Sequence, residues 1–150
     1  MVSLYKLISA AFALLTITCS SYAETVTTTC GESKFEVQMK NDGGPLETKF
    51  DLYGIKGKEK KKLFTLGAGN FDAACLKNKS GKAMLVFQSD CGGSVCVPEY
   101  GIVETDKLSM LLTPGQTNKS NAKAAEKILG APVPELSETS EKFCCEAKKR

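Results

Sequence analysis

Residues 89–96 read SDCGGSVC, with Gly92, Gly93, Ser94 and Val95 separating Cys91 from Cys96. Sulfur and serine in such a loop can bind metal, shuttle electrons, attack a substrate or close a disulfide. A structural zinc site needs further cysteine or histidine ligands beside such a pair, and the chain contains no histidine. A redox pair uses two intervening residues, Cys-x-x-Cys, where this loop has four. A nucleophile elbow places glycine two residues to either side of the serine. Ser94 has Gly92 before it but Cys96 after it. The reading left is a Cys91–Cys96 disulfide closing a tight turn.

The missing imidazole narrows the other chemistries as well. It removes the commonest general base, the usual partner of serine and cysteine nucleophiles, and the commonest catalytic zinc ligand. Carboxylate chemistry would have to draw on Asp51, Asp72, Asp90, Glu99 and Glu104, whose spacing singles out no pair. A serine–lysine dyad has many lysines to choose from and nothing that selects one. Neither a phosphate-cradling glycine loop nor a calcium-loop pattern occurs. Gly67, Gly69, Gly92 and Gly93 read as turn residues. The sequence therefore assigns no catalytic residue, no metal ligand and no cofactor.

Compartment follows from the first residues. Lys6 precedes an apolar stretch at 7–17, and Ser21-Tyr22-Ala23 offers small residues around a cleavage point. That pattern predicts a secretory signal peptide over residues 1–23. The stretch is shorter than the roughly 20 apolar residues of a membrane span. Residues 24–150 then form one exported domain, with no transmembrane segment expected in it. Of the 20 basic residues, Lys6 goes with the signal, whereas all 17 acidic residues stay, so the net charge of +3 becomes +2. Arg150 is the lone arginine. Planar, bidentate recognition of phosphates and bases is arginine work, so no nucleic-acid partner is expected. The lysine cluster at 58–62 reads as a solvated loop or a guarded strand edge.

Six cysteines follow the signal: Cys30, Cys75, Cys91, Cys96, Cys144 and Cys145. An even number in an exported chain predicts three disulfides. Neighbours such as Cys144 and Cys145 do not reach good disulfide geometry with each other. With Cys91 joined to Cys96, Cys30 and Cys75 are each expected to take one cysteine of the C-terminal pair, pinning the tail across the domain.

These groups must be positioned by strands. KFEVQMK (34–40) alternates, with Phe35, Val37 and Met39 on one face, and TKFDLYGI (48–55) alternates with Phe50 and Leu52 inward. The turn NDGGP between them predicts a hairpin. LFTL (63–66) and FDAACL (71–76) are short strands. KAMLVFQ (82–88) has an unbroken apolar centre, as in a strand covered on both faces. Residues 100–112 predict a hairpin turning at Asp106-Lys107, with Leu108, Met110 and Leu112 on one face. Such spacing predicts a mainly β fold, an antiparallel meander forming a small barrel or sandwich. One short C-terminal helix is expected in SNAKAAEKILG, with Ala122, Ala125, Ile128 and Leu129 as its apolar stripe. Asn118 or Ser120 would cap it and Gly130 would end it. The sequons at Asn78 and Asn118 fall in loops.

Such a rigid, exported scaffold without catalytic equipment predicts a binding module, such as an inhibitor or immunity-type protein, whose partner is another exported protein. The constrained loop through Gly92, Gly93, Ser94, Glu99 and Tyr100 is the expected contact surface, because a tied loop loses less entropy on binding. A small-ligand carrier using a barrel interior, and a hydrolase with carboxylate or lysine chemistry, are the alternatives.

Overall fold

The computed structural model describes residues 24–41, 48–67, 70–90, 97–115 and 119–136. They form β1 (Glu24–Cys30), β2 (Ser33–Asn41), β3 (Thr48–Lys56), β4 (Glu59–Gly67), β5 (Asn70–Lys77), β6 (Ala83–Asp90), β7 (Glu99–Glu104), β8 (Ser109–Leu112) and α1 (Ala122–Leu129). The strands build two antiparallel four-stranded meanders, β1-β2-β3-β4 and β5-β6-β7-β8. The sheets pack face to face as a sandwich and do not close into a barrel.

Alternation puts one apolar row of each strand between the sheets. Phe35, Val37, Leu52 and Leu66 meet Phe71, Ala73, Leu85, Phe87 and Val103 in a single buried cluster. Phenylalanines form its spine. The Phe50 and Phe71 rings stack at 5.5 Å, Phe71 and Phe87 at 5.4 Å, and Phe64 tilts against Phe87 at 6.1 Å. The Phe87 ring lies directly on Gly101 of the neighbouring strand, where a Cβ would come within 2.0 Å of its Cζ. Only glycine lets the ring reach this place.

Short turns set the register. Gly31 and Gly57, at φ 62° and 59°, each stand first in a two-residue loop, between Cys30 and Ser33 and between Lys56 and Glu59. Glycine at that position is the mark of a II′ hairpin turn, whose twist matches the strands it joins. The β7–β8 turn is longer and locks the two sheets together. Ser33 Oγ donates to Thr105 O at 2.8 Å, and Thr105 Oγ1 donates to Ala83 O at 3.0 Å. Lys56 Nζ donates to Asp106 O at 3.0 Å, and Lys61 Nζ donates to Leu108 O at 3.2 Å. Leu108 takes a left-handed φ of 48° and is held there with its side chain buried in the core.

Three expectations need correction. Cys30 pairs with Cys75, with Cα atoms 5.2 Å apart, and not with the C-terminal cysteines. The cause is topological: β1 and β5 are edge strands of facing sheets, and the bond runs from buried Cys30 to exposed Cys75 across that edge. Cys91, Cys96, Cys144 and Cys145 lie outside the described residues. Leu112 does not share a face with Leu108 and Met110, because the β7–β8 register shifts between Ile102 and Val103. The extra residue, Leu111, is exposed, and Leu112 turns to the opposite side of the sheet. The N-cap of α1 is Asn121, rather than Ser120, whose Oγ only accepts from Ala122 N at 3.2 Å. Asn118 lies outside the described residues. Strand β1 had no counterpart in the periodicity reading.

Helix α1 covers the outer face of the β5–β8 sheet. Ala125, Ile128 and Leu129 pack with Leu136 on Met84, Val86, Ile102 and Leu112. Strand β6 is thus apolar on both faces, as its unbroken run implies. Gly130 ends the helix in the left-handed conformation, its N–H donating to Glu126 O at 2.7 Å. The β5–β6 turn holds that end, Lys79 N donating to Leu129 O at 2.8 Å.

Candidate binding face

Outward residues of β1–β4 stand in cross-strand rows. One row is Thr25, Gln38, Asp51 and Thr65; the next is Thr27, Glu36, Tyr53 and Lys62; the third is Thr29, Lys34, Ile55 and Lys60. A register shift between Leu52 and Tyr53 absorbs Leu63 and keeps Lys60 and Lys62 on this side. The two-residue turn at Gly57-Lys58 sets the pairing that brings them there.

Asp51 is the hub of this face. Its Oδ2 lies 2.9 Å from Lys40 Nζ, its Oδ1 lies 2.7 Å from Lys62 Nζ, and Thr65 Oγ1 donates to Oδ1 at 2.7 Å. The residue is 3% exposed. It lies on the outer face of the sheet, ringed by the side chains that bind it. Burial acts to raise its pKa, but the hydrogen bonds from Lys62, Thr65 and Lys40 outweigh this and hold the carboxyl well below the usual range. A second knot sits beside it. Glu36 Oε1 accepts from Lys60 Nζ at 2.8 Å and from Gln38 Nε2 at 2.6 Å. Lys60, then Gln38, lowers the Glu36 pKa. Lys60 Nζ also stands 4.7 Å above the Tyr53 ring, a cation–π placement.

The outward lysines of the face are Lys34, Lys40, Lys49, Lys60 and Lys62, all exposed. Against them stand two carboxylates, Glu36 and Asp51, which leaves an excess of three positive charges. Chemically, the face is a set of ammonium groups over a sheet, of which Lys40, Lys60 and Lys62 are held by carboxylates beneath them. Proton transfer is not its strength, because both acids are ionised and occupied. Electrostatic contact with an acidic surface is.

The loop residues expected from the sequence are placed otherwise. Gly92, Gly93 and Ser94 lie outside the described residues. Glu99 is 5% exposed and pairs across from Ser89 at the end of the sandwich interior. Tyr100 points the other way, into the cluster under α1. Its phenol pKa is raised by burial, then by Glu126 and Glu135. Its backbone is clamped by Asn121, whose Oδ1 accepts from Tyr100 N at 2.7 Å and whose Nδ2 donates to Tyr100 O at 2.8 Å. Of the carboxylates considered for hydrolysis, Asp51, Asp72 and Glu104 face different partners, and the side chain of Asp90 lies outside those described. Asp72 accepts from Gln88 at 3.3 Å, Glu104 faces Lys82 and Lys107 at 3.6 and 3.4 Å, and Asp51 lies on the other sheet. Among the described residues no three cysteine or carboxylate side chains group as metal ligands.

Sequence reasoning missed this face because it used only the apolar half of each strand. The polar half carried the signal: a lysine, acid or amide at every second position of 34–40, 49–51 and 60–62. Compared with known protein families, curated proteins and solved structures, the chain matches none.

Proposed function

We propose that the chain is an exported, disulfide-stabilised binding module that acts on another exported protein, and that the outer face of β1–β4 makes the contact. The ordered lysine layer over Asp51 and Glu36 carries this reading. Fixed charges lose little freedom on association, and matching them to an acidic patch speeds encounter and selects the partner. Export is supported by the signal pattern at 1–23 and by an oxidised Cys30–Cys75 bond, which suits an oxidising compartment. A surface role is favoured over a carrier role because stacked phenylalanines occupy the described interior.

The test compares two double variants under amine-reactive cross-linking in the native envelope or medium. Lys34→Gln with Lys60→Gln removes two charges from the face. Lys123→Gln with Lys127→Gln removes two exposed charges from α1 as the control. Cross-linked partner is expected to fall at least tenfold for the first pair only, and to fall for the parent protein as ionic strength rises. Equal loss for both pairs, or loss for neither, refutes the face as the contact surface. N-terminal sequencing of the exported protein, expected to begin at Glu24, tests the compartment.

A further inference from the structure

We infer that the free edge of β1 accepts an extended acidic polypeptide segment as an added strand beside the lysine face; this rests on the proposed binding role and names its mode. Among the described residues the sandwich has four sheet edges, β1, β4, β5 and β8. Natural edges are blunted by charges, bulges or short length, since unpaired N–H and C=O groups invite another strand. Strand β4 carries Glu59, Lys60, Lys61 and Lys62 in succession. Strand β8 has four residues and a register shift. Strand β5 has Asp72 near its middle. Strand β1 is different. From Thr25 to Thr29 it reads TVTTT, with no charge, glycine or proline, and it pairs with β2 without a shift. Five β-branched residues in a row favour the extended state on which a partner strand could form.

Hairpin geometry identifies the groups on offer. In a two-residue hairpin the residues flanking the loop form a hydrogen-bonded pair, here Cys30 and Ser33. By alternation Thr28 and Val26 also turn their backbone groups toward β2. Thr25, Thr27 and Thr29 turn theirs away, to the open edge. The same three threonines are exposed on the outer face. A strand added about 4.8 Å beyond β1 would lie roughly 10 Å from β2. Threonine side chains are short, so carboxylates on that strand would meet the lysines of β2 above them. Charge thus selects the occupant: an acidic segment is drawn to an excess of three positive charges, and a basic one is repelled. A second copy of this chain would bring its own lysines against the first set. Backbone pairing would supply affinity and the lysine face specificity, as in other strand-addition complexes.

The experiment titrates the purified protein with a fluorescent octapeptide of alternating threonine and glutamate, with a threonine–lysine octapeptide as counterpart. Binding of the acidic peptide is expected, at least tenfold tighter than the basic one, with slowed amide exchange at Thr25, Thr27 and Thr29. Thr27→Pro removes an edge N–H that β2 does not use, so the fold should tolerate it. It is expected to weaken the acidic peptide at least tenfold. N-methylation of alternate peptide amides is expected to do the same with the protein unaltered. Unchanged affinity for both the proline variant and the methylated peptide overturns strand addition. If the Lys34→Gln, Lys60→Gln variant then still loses the peptide, only the edge has failed and the face stands. If no variant affects binding, or none is seen at millimolar peptide, strand addition fails, and the cross-linking comparison alone decides the face.

Discussion

Replacing Asp51 by asparagine tests the charge network at its centre. The side chain keeps its shape and one carbonyl acceptor, so Thr65 Oγ1 can still donate. What disappears is the charge between Lys40 and Lys62, whose contacts are 2.9 and 2.7 Å. Hydrogen bonds to charged groups contribute about 1.5–3 kcal/mol each when shielded. Both lysines are 48% exposed, and pairs open to solvent on one side contribute no more than about 1 kcal/mol each. The acid itself is shielded, which places the loss between these limits, at about 2 kcal/mol. For a domain of this size that lowers Tm by roughly 6–12 °C. The sign of the pH dependence follows from the depressed folded-state pKa of Asp51. A depressed carboxyl stabilises the fold above its unfolded pKa of about 3.9 and loses that contribution as pH falls through the folded value. Scanning calorimetry of both proteins should therefore show a constant Tm gap from about pH 5 to 8 that narrows below about pH 4. The variant also frees Lys40 and Lys62, so acidic-peptide binding should weaken although the excess charge of the face rises from three to four. Equal Tm values at neutral pH, or a gap that widens in acid, would refute the reasoning.

Gly101→Ala should destabilise by about 3 kcal/mol or more, since the new methyl and the buried Phe87 ring claim the same space; a Phe87→Leu partner mutation should recover part of this in urea unfolding. Removing the disulfide as Cys30→Ser with Cys75→Ser opens a loop with a sequence separation of 45, which costs about 4 kcal/mol in the chain-entropy model and is readable as a lower urea midpoint. Asn121→Ala strips both hydrogen bonds from the Tyr100 backbone, at about 2 kcal/mol; faster amide exchange over α1 and β7, with β1–β4 unchanged, is the expected pattern.

The legible parts of the fold were those where one side of a strand is apolar and its ends carry turn residues. Phe35-x-Val37, Phe50-x-Leu52 and the doubly covered run around Val86 announced themselves this way. Strand β1 did not, because ETVTTTC has one large aliphatic residue and threonine serves either face equally well. The lysines at 60–62 left open a solvated loop or a guarded strand edge, because charge hid the periodicity; the structure has the edge, where the outward lysines guard the strand and Lys61 reaches the β7–β8 turn. Pairing of Cys30 with Cys75 depends on which edges face each other, a tertiary fact that spacing along the chain does not encode. The side-chain flip at Leu112 depends on one bulged residue. Of the candidate site, residue types were visible in the sequence but their convergence was not: Asp51, Lys40, Lys62 and Thr65 meet only once two hairpin registers are fixed.

The two outer faces of the sandwich differ in a way that favours β1–β4 for the proposed binding role. One outer face is apolar, at Met84, Val86, Ile102 and Leu112, and α1 covers it. The other is charged and, among the described residues, uncovered. Solvation alone would be satisfied there by lysines moving freely in water. Instead, Lys40, Lys60 and Lys62 are held at 2.7–2.9 Å from two carboxylates. Net of the rotamer entropy of fixing its lysine, a half-exposed pair returns no more than about 1 kcal/mol. Fold stability is thus a modest reason for ordering the layer. A partner that meets charges already in position is a better one, because the ordering is then complete before contact. The Asp51→Asn protein separates the two: a layer that only stabilises loses Tm and, with one more net positive charge, binds acidic chains no less tightly, whereas a layer whose order serves contact loses Tm and binds them less tightly.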